Sequence, residues 1–372
     1  MKSILCVVGA RPNFMKIAPI IRAFKAEPNA LPVRLVHTGQ HYDEAMKDSF
    51  FRLLGIPEPD VDLEVGSGSH AVQTAEIMKR FEPVLDTEDP AAVLVVGDVN
   101  STIACALVAV KKGVPVIHVE AGLRSNDRQM PEEINRVLTD QISDLLFTTE
   151  KEALANLQRE GIAAERVHFV GNVMIDTLRY QQQSATASME TLAQYDSDKQ
   201  FDFATSGFAL LTMHRPSNVD NAATLESLLT TLAGISKQIP LVFPVHPRTA
   251  ARIKDFGLDH LIDPQHILRV PPLGYGQLLG LMQDARMVLT DSGGIQEETT
   301  ALGVPCITLR ENTERPITVT EGTNVIVGTD PDKIRVEAHK VLNGEGKGGR
   351  VPEFWDGRAA ERIKDVLLQV LY

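Results

Sequence analysis

Short apolar runs, each closed by glycine, proline or a polar residue, recur along the chain and alternate with stretches of helical period. In the first half they are ILCVVG, VRLVHTG, AVLVVGD, PVIHVEA, LLFTTE and VHFVGN. In the second half they are FALLTMH, PLVFPVH, ILRVPP, ARMVLTDSG, PCITLR and NVIVG. Uninterrupted β-rich runs between helices indicate parallel strands covered on both faces. Six such units followed by six more predict an α/β protein of two doubly wound Rossmann-type domains. Residues 1–175 and 176–354 are the expected domains. The polar, weakly hydrophobic stretch 181–207 reads as a mobile connector between the halves. Near the C-terminus, Ile363, Val366, Leu367 and Val370 have helical spacing, and a helix within 355–372 is free to return to the first domain.

Polar residues fall at one place in each unit, just after the apolar run. Arg11 follows the first run, Gln40 and His41 the second and Asp98 the third; His118 and Glu120 end the fourth, and Asn172 follows the sixth. His214, His246, Asp291, Ser292 and Arg310 hold that place in the second half. Ligands of open α/β sheets bind beyond the carboxyl ends of the strands, so the expected site is a cleft between two polar edges. One helix is predicted from Pro131, with Glu132 and Glu133 in its first turn and an apolar stripe of Ile134, Val137, Leu138, Ile142 and Leu145. Glu132 and Arg136, four apart, share a face, with a surface ion pair as the alternative to a site role, and Glu133 reads as a helix-start acid.

MVLTDSGGIQEE places Ser292, Gly293 and Gly294 between a strand and a helix, with Glu298 one turn further on. Glycines allow close approach of backbone to ligand, and first-turn N–H groups attract phosphate. The combination suits a nucleotide with its diphosphate on the turn and its ribose on Glu298. The alternative is a tight turn followed by a solvated glutamate pair. GSGSHA, from Gly66 to Ala71, formally matches a dinucleotide fingerprint but follows no long apolar strand. It reads as a polar turn with Ser69 as N-cap, and no nicotinamide or flavin cofactor is expected.

Composition narrows the class without changing that picture. The 372 residues are 43% hydrophobic and 23% charged, ordinary for a globular protein. A net charge of −12 argues against nucleic acid or an anionic membrane as partner. No charged-then-apolar leader and no apolar run of about 20 residues is present, so a cytoplasmic protein is expected. Three cysteines without CxxC spacing read as buried reduced thiols, and ten histidines without HExxH suggest no metal site.

Asp98, Glu120 and Glu132 supply three carboxylates at strand and helix starts. Brought together, their ionisation would be coupled, giving an acid beside a base for moving a proton on and off carbon. Arg11, Lys16, His214 and Arg215 add cations suited to a departing diphosphate. Capping and surface roles are the alternatives for each taken singly.

GARPNFMKIAPI, TGQHYD, GDVNST, HVEAGLRS, MPEEINR, GNVMIDT, TMHRPSNVD, PVHPRT, LTDSGGIQEE and LRENTERPITVTEGTN occur in this order between Gly9 and about Gly328. Together they resemble the non-hydrolysing UDP-N-acetylglucosamine 2-epimerases. The resemblance implies a GT-B-like pair of Rossmann domains, a homodimer and interconversion of UDP-N-acetylglucosamine with UDP-N-acetylmannosamine for surface polysaccharide synthesis. It implies elimination of UDP to 2-acetamidoglucal and re-addition, without a cofactor. Asp98, Glu120 and Glu132 would be the acid/base carboxylates, assisted by His214. Arg11, Lys16, Arg136, Ser292, Gly293, Glu298 and Arg315 would bind the substrate.

The chain departs from many bacterial members at Tyr42, Asp43 and Val72, where they carry residues that help hold an activating second UDP-N-acetylglucosamine. Gln40, Arg215 and His246 remain as regulatory candidates, but a weakened allosteric site is expected. The rivals are a hydrolysing epimerase releasing N-acetylmannosamine, an epimerase of a modified sugar such as UDP-2,3-diacetamido-uronic acid, a GT-B glycosyltransferase and a silent UDP-sugar sensor.

Overall fold

The structure is a computed structural model describing residues 2–27, 31–39, 51, 54–196, 198 and 200–371, with Arg11 described by its backbone alone. The chain divides into two compact units, Met1–Arg179 with Glu353–Tyr372, and Tyr180–Pro352. The first unit is built on β1 (Ile4–Val8), β2 (Val33–His37), β3 (Val61–Asp62), β4 (Ala92–Val96), β5 (Val116–Ala121), β6 (Leu145–Thr148) and β7 (Val167–Phe169). They form one sheet in the order β3-β2-β1-β4-β5-β6-β7, parallel throughout. The second unit has β8 (Ala209–Thr212), β9 (Leu241–Pro244), β10 (Ile267–Val270), β11 (Met287–Thr290), β12 (Cys306–Thr308) and β13 (Asn324–Ile326). Its parallel order is β10-β9-β8-β11-β12-β13, the 3-2-1-4-5-6 order of a dinucleotide-type fold. The two doubly wound sheets give the GT-B-like class expected from the sequence.

All twelve apolar runs are strands, and a seventh strand in the first unit, β3, comes from the acidic DVDLEV stretch. Only Val61 and Asp62 pair there, on the edge, too few residues to show as an apolar run. Strands β1, β4 and β5 are buried at every position, which is why they read as continuous rather than alternating. Helices α1 (Arg11–Lys25), α2 (His70–Glu88), α3 (Asn100–Lys111), α4 (Pro131–Ile142), α5 (Lys151–Arg159) and α6 (Val173–Gln182) follow the strands. Ser69 caps α2, its hydroxyl accepting from the Val72 N–H.

Register sets the functional edge. Val96 pairs with Val119, so Gly97 and Glu120 emerge together from β4 and β5. Thr212 pairs with Thr290, so the residues after β8 and β11 emerge together in the second unit. In each sheet the two central strands, β1 with β4 and β8 with β11, form the point where winding reverses.

The expected mobile connector is instead folded. Residues 188–195 are helix α7 (Ser188–Tyr195), and Ser188, Thr191, Leu192 and Phe203 are buried. It packs on α8 (Tyr275–Asp284), where the Thr186 carbonyl occupies the space that a Cβ on Gly280 would need. Polar composition hid a segment that packs through glycine backbone. The C-terminal helix, residues 359–370, lies on α1 through a face including Ile363 and Leu367. Among the described residues no helix is long and apolar enough to cross a membrane.

Candidate active site

The first candidate cluster is built on the loop after β1. Asn13 in the first turn of α1 accepts from the Gly9 and Ala10 N–H groups at 3.2 and 3.1 Å and donates to the Val96 carbonyl at 2.9 Å. One side chain thereby joins the ends of β1 and β4. Lys16, one turn along, extends its ammonium to Glu120 Oε1 at 2.8 Å, and both side chains are buried. Gly97 makes room for it: its φ is +67°, and a Cβ there would stand 2.8 Å from Lys16 Nζ.

Asp98 accepts from Arg136 at 2.6 Å, and the other guanidinium nitrogen of Arg136 reaches Glu133 at 2.7 Å. Glu133 also accepts from the Ser125 and Asn126 N–H groups at 3.0 and 2.9 Å. Burial pushes the Glu133 carboxyl up, but those N–H groups and the Arg136 charge outweigh it, and the net shift is downward. Arg136 thus pairs with Asp98 and Glu133 and not with Glu132. Glu133 is a buried structural acid rather than a surface one. Glu132 is half-buried, and its carboxylate makes no hydrogen bond or ion pair among the described residues.

The orientation of α4 overturns part of the expected apolar stripe: Val137 and Ile142 are half-buried, Ile142 against the core, and Leu145 belongs to β6. Ile134 and Leu138 are 43% and 49% exposed, while Glu133, Arg136, Thr139 and Asp140 face inward. The helix packs a polar face because its inward partners are the carboxylate, imidazole and backbone groups at the ends of β4 and β5.

In the second unit Asp291, fully buried after β11, accepts from the His214 and Arg215 N–H groups at 2.9 and 2.8 Å and from the Asn218 amide at 3.2 Å. The His214 ring is partly exposed, with Nδ1 3.2 Å from Asp291 Oδ1. Burial raises the Asp291 carboxyl, yet its bond with His214 and the backbone N–H groups bring it net below the usual range. The result is an oriented His–Asp pair whose far ring nitrogen is turned away from the carboxylate. His246 stacks obliquely on His214 with centroids 5.4 Å apart; burial and the neighbouring His214 push its pKa down.

Ser292 begins α9 (Gly293–Leu302), and its hydroxyl has no hydrogen bond among the described residues. A Cβ on Gly294 would meet nothing within 4 Å, and one on Gly293 only Glu314 at 3.6 Å. Among the described residues these two positions therefore have room beside them, and the first N–H groups of the helix lack intrahelical acceptors. The two glutamates are not solvated: Glu298 accepts from the Tyr275 hydroxyl at 2.8 Å, and Glu297 from Arg315 Nε at 2.7 Å. Glu314 is held by Arg310 at 2.9 and 3.1 Å; burial raises it, but Arg310 and Arg315 bring it down to about 2.

The structure therefore brings Lys16 to Glu120 and Arg136 to Asp98, and gathers His214, Arg215 and His246 near Asp291. Gln40, His41, Tyr42 and Asp43 lie outside the described residues, as does the side chain of Arg11. Sequence reasoning missed Asn13, Asp140, Tyr275 and Glu314. Asn13 carried a signal, an amide three residues after the N-cap Ala10. So did Asp140, at helical spacing from Glu133 and Arg136; Tyr275 carried none.

The family model described as UDP-N-acetylglucosamine 2-epimerase matches residues 22–368. A UDP-N-acetylglucosamine 2-epimerase of Methanococcus maripaludis is 41% identical over 363 residues, covering 94% of this chain and 97% of that one. A UDP-2,3-diacetamido-2,3-dideoxy-D-glucuronate 2-epimerase of Pseudomonas aeruginosa is 40% identical over 374 residues, 99% of each chain. The crystal structure of the Methanocaldococcus jannaschii UDP-GlcNAc 2-epimerase, in complex with UDP-GlcNAc and UDP, aligns with TM-score 0.86 at 40% identity, covering 99% of this chain and all of that one. With its motifs, its two parallel sheets and near-complete coverage by these relatives, the chain belongs to the UDP-N-acetylglucosamine 2-epimerase family.

Proposed function

We propose that this protein interconverts UDP-N-acetylglucosamine and UDP-N-acetylmannosamine without hydrolysis. The observation that carries the reading is the pair of carboxylates at the ends of adjacent strands, each engaged by its own cation: Asp98 by Arg136 and Glu120 by Lys16. Epimerisation at C2 needs a base on one face of the sugar and an acid on the other. One carboxylate takes the C2 proton; the C–H electron pair becomes the C1–C2 double bond as the C1–O bond breaks to UDP. The resulting 2-acetamidoglucal is reprotonated at C2 from the opposite face while UDP adds back to C1. Asp98, Glu120 and Glu132 are the proposed acid/base carboxylates.

His214, oriented by Asp291, is proposed to assist at the sugar or diphosphate, with Arg11, Lys16, Arg136 and Arg315 as supporting cations. Ser292 and Gly293 are proposed to cradle phosphate and Glu298, held by Tyr275, to meet the ribose. Support comes from the room beside Gly293 and Gly294 among the described residues and from the relative whose structure contains UDP-GlcNAc and UDP.

The finer reading is of a cytoplasmic homodimer serving surface polysaccharide synthesis. Three buried free thiols and the exposed Ile134 and Leu138, one turn apart on α4, support it. The activating site is proposed to be weakened: Val72 is exposed, and Gln73 is buried and engaged with Gly66 and Asn100. A second substrate is favoured by one observation, the 40% identity to the UDP-2,3-diacetamido-uronate 2-epimerase. The test is incubation with each UDP-sugar and product analysis by NMR. UDP-N-acetylmannosamine without free sugar supports the main reading; turnover of the diacetamido-uronate alone replaces its substrate, and stoichiometric free UDP and N-acetylmannosamine replace it with hydrolysis.

A further inference from the structure

A buried ionic network at the carboxyl end of β5 takes no part in the chemistry proposed above. His118 and Asp140 are both fully buried. The imidazole reaches the Gly97 carbonyl with Nε2 at 2.8 Å and Asp140 Oδ1 with Nδ1 at 2.6 Å. Asp140 Oδ2 accepts from the Gly122 N–H at 3.0 Å and from Arg124 at 2.7 Å. Glu160 clasps that guanidinium at 2.8 and 2.6 Å. The carbonyl can only accept, so Nε2 carries a hydrogen and donates to it, while Nδ1 pairs with the carboxyl group.

What this network holds is specific. Glu120 has φ of +74°, a left-handed conformation that is strained for a residue with a Cβ. The β5–β6 register also breaks between Val119 and Ala121, so the ladder holds this peptide only on the β4 side, where the Val119 carbonyl accepts from the Gly97 N–H at 3.0 Å. Lys16 holds the Glu120 side chain, not its backbone. The backbone is held two residues before by the His118 ring and two residues after by the Gly122 N–H, both ending on Asp140. Asn156 takes the Gly122 carbonyl at 2.9 Å, and a Cβ on Gly122 would strike the Ala153 carbonyl. The same imidazole holds the carbonyl immediately before Asp98.

We infer that His118 and Asp140 are positioning residues: one His–Asp brace fixes the backbones of Asp98 and Glu120 to α4, the helix that also carries Glu132 and Arg136. This rests on the epimerase reading. The other reading of the same contacts, a fold-stabilising network with no influence on the reacting groups, gives different results.

Gln in place of His118 keeps an amide near Nε2 and the bond to Gly97; Asn keeps one near Nδ1 and the bond to Asp140. His118→Gln, His118→Asn and Asp140→Asn are expected to lower kcat for C2 proton exchange about 10- to 100-fold, the scale of an ångström-sized misplacement. KM for UDP-N-acetylglucosamine and Kd for UDP are expected to stay within about threefold, because the proposed nucleotide contacts in the second unit are untouched. His118→Ala is expected to be worse than either single-link variant. Folded variants with wild-type kcat, or losses in kcat that only follow losses in UDP affinity, overturn the brace. Nitrogen-15 NMR of histidine-labelled protein tests it without substrate. A His118 Nε2–H held in a hydrogen bond, absent in His118→Gln and shifted in Asp140→Asn, supports it; a His118 Nε2 without a hydrogen overturns it. If the wild type shows that ring signature yet exchanges no C2 proton, the epimerase reading fails while the brace stands as a structural element.

Discussion

Lys16 and Gly97 are a matched pair, and substitution separates what each contributes. Gly97→Ala would place a methyl against the ammonium at a positive φ, displacing Lys16 from Glu120. The expected stability loss is about 1–2 kcal/mol from the backbone alone, and kcat should fall further than stability explains. Gly293→Ala makes the opposite case. Among the described residues the new methyl meets only Glu314, at an ordinary 3.6 Å, so denaturant unfolding should show a change within about 1 kcal/mol of zero, on the stabilising side. UDP affinity by calorimetry should nevertheless weaken at least about tenfold, the cost of roughly one lost close contact to phosphate. An unchanged affinity would remove that turn from the nucleotide site.

Among the elements, α4 shows what pattern reading reaches and where it stops. Its start at Pro131, its acids and its period were all legible from local chemistry. Which face turns inward was not, because Glu133, Arg136 and Asp140 are satisfied by partners distant in sequence: Ser125 N–H, Asp98, His118 and Gly122 N–H. Buried strands announce themselves by continuous hydrophobicity, whereas a buried polar face looks like a solvated one until its partners are seen. The C-terminal helix gives a second test at this scale. Asp176 on α6 accepts from the Ala359 and Ala360 N–H groups at 3.1 and 2.7 Å, capping a helix start far along the chain. Burial, aided by Asp356, pushes its carboxyl up to about 6, although those N–H groups and Arg362 oppose the shift. Between about pH 4 and 6 the folded protein therefore keeps a proton that the unfolded chain has released. Stability should fall as pH rises through that window, by on the order of 2–3 kcal/mol, and level off above it. Asp176→Asn should lack this step; equal slopes in unfolding free energy for the two proteins from pH 4 to 7 would contradict the assignment.

For the molecule as a whole, the doubly wound class of both sheets was legible in twelve apolar runs, though the edge strand β3 was not, and the polar residues after those runs marked the candidate site edges. The conformation at the end of β5, with its left-handed Glu120, had no local signature. At this scale the proposed dimer is expected to dissociate when Ile134 and Leu138 are both replaced by Glu, seen by light scattering. A monomeric wild type would leave that apolar stripe without its proposed role. Substrate saturation is expected to be hyperbolic, with the reverse reaction needing no added UDP-N-acetylglucosamine; strong sigmoidicity would restore the regulatory site. The measurement that reaches the central claim is proton NMR of the enzyme with UDP-N-acetylglucosamine in D₂O, beside Asp98→Asn and Glu120→Gln. The wild type should place deuterium at C2 as UDP-N-acetylmannosamine appears, and each variant should slow this by about 10²-fold or more. A folded wild type that binds UDP and leaves C2 untouched, or undiminished exchange in both variants, would contradict the account.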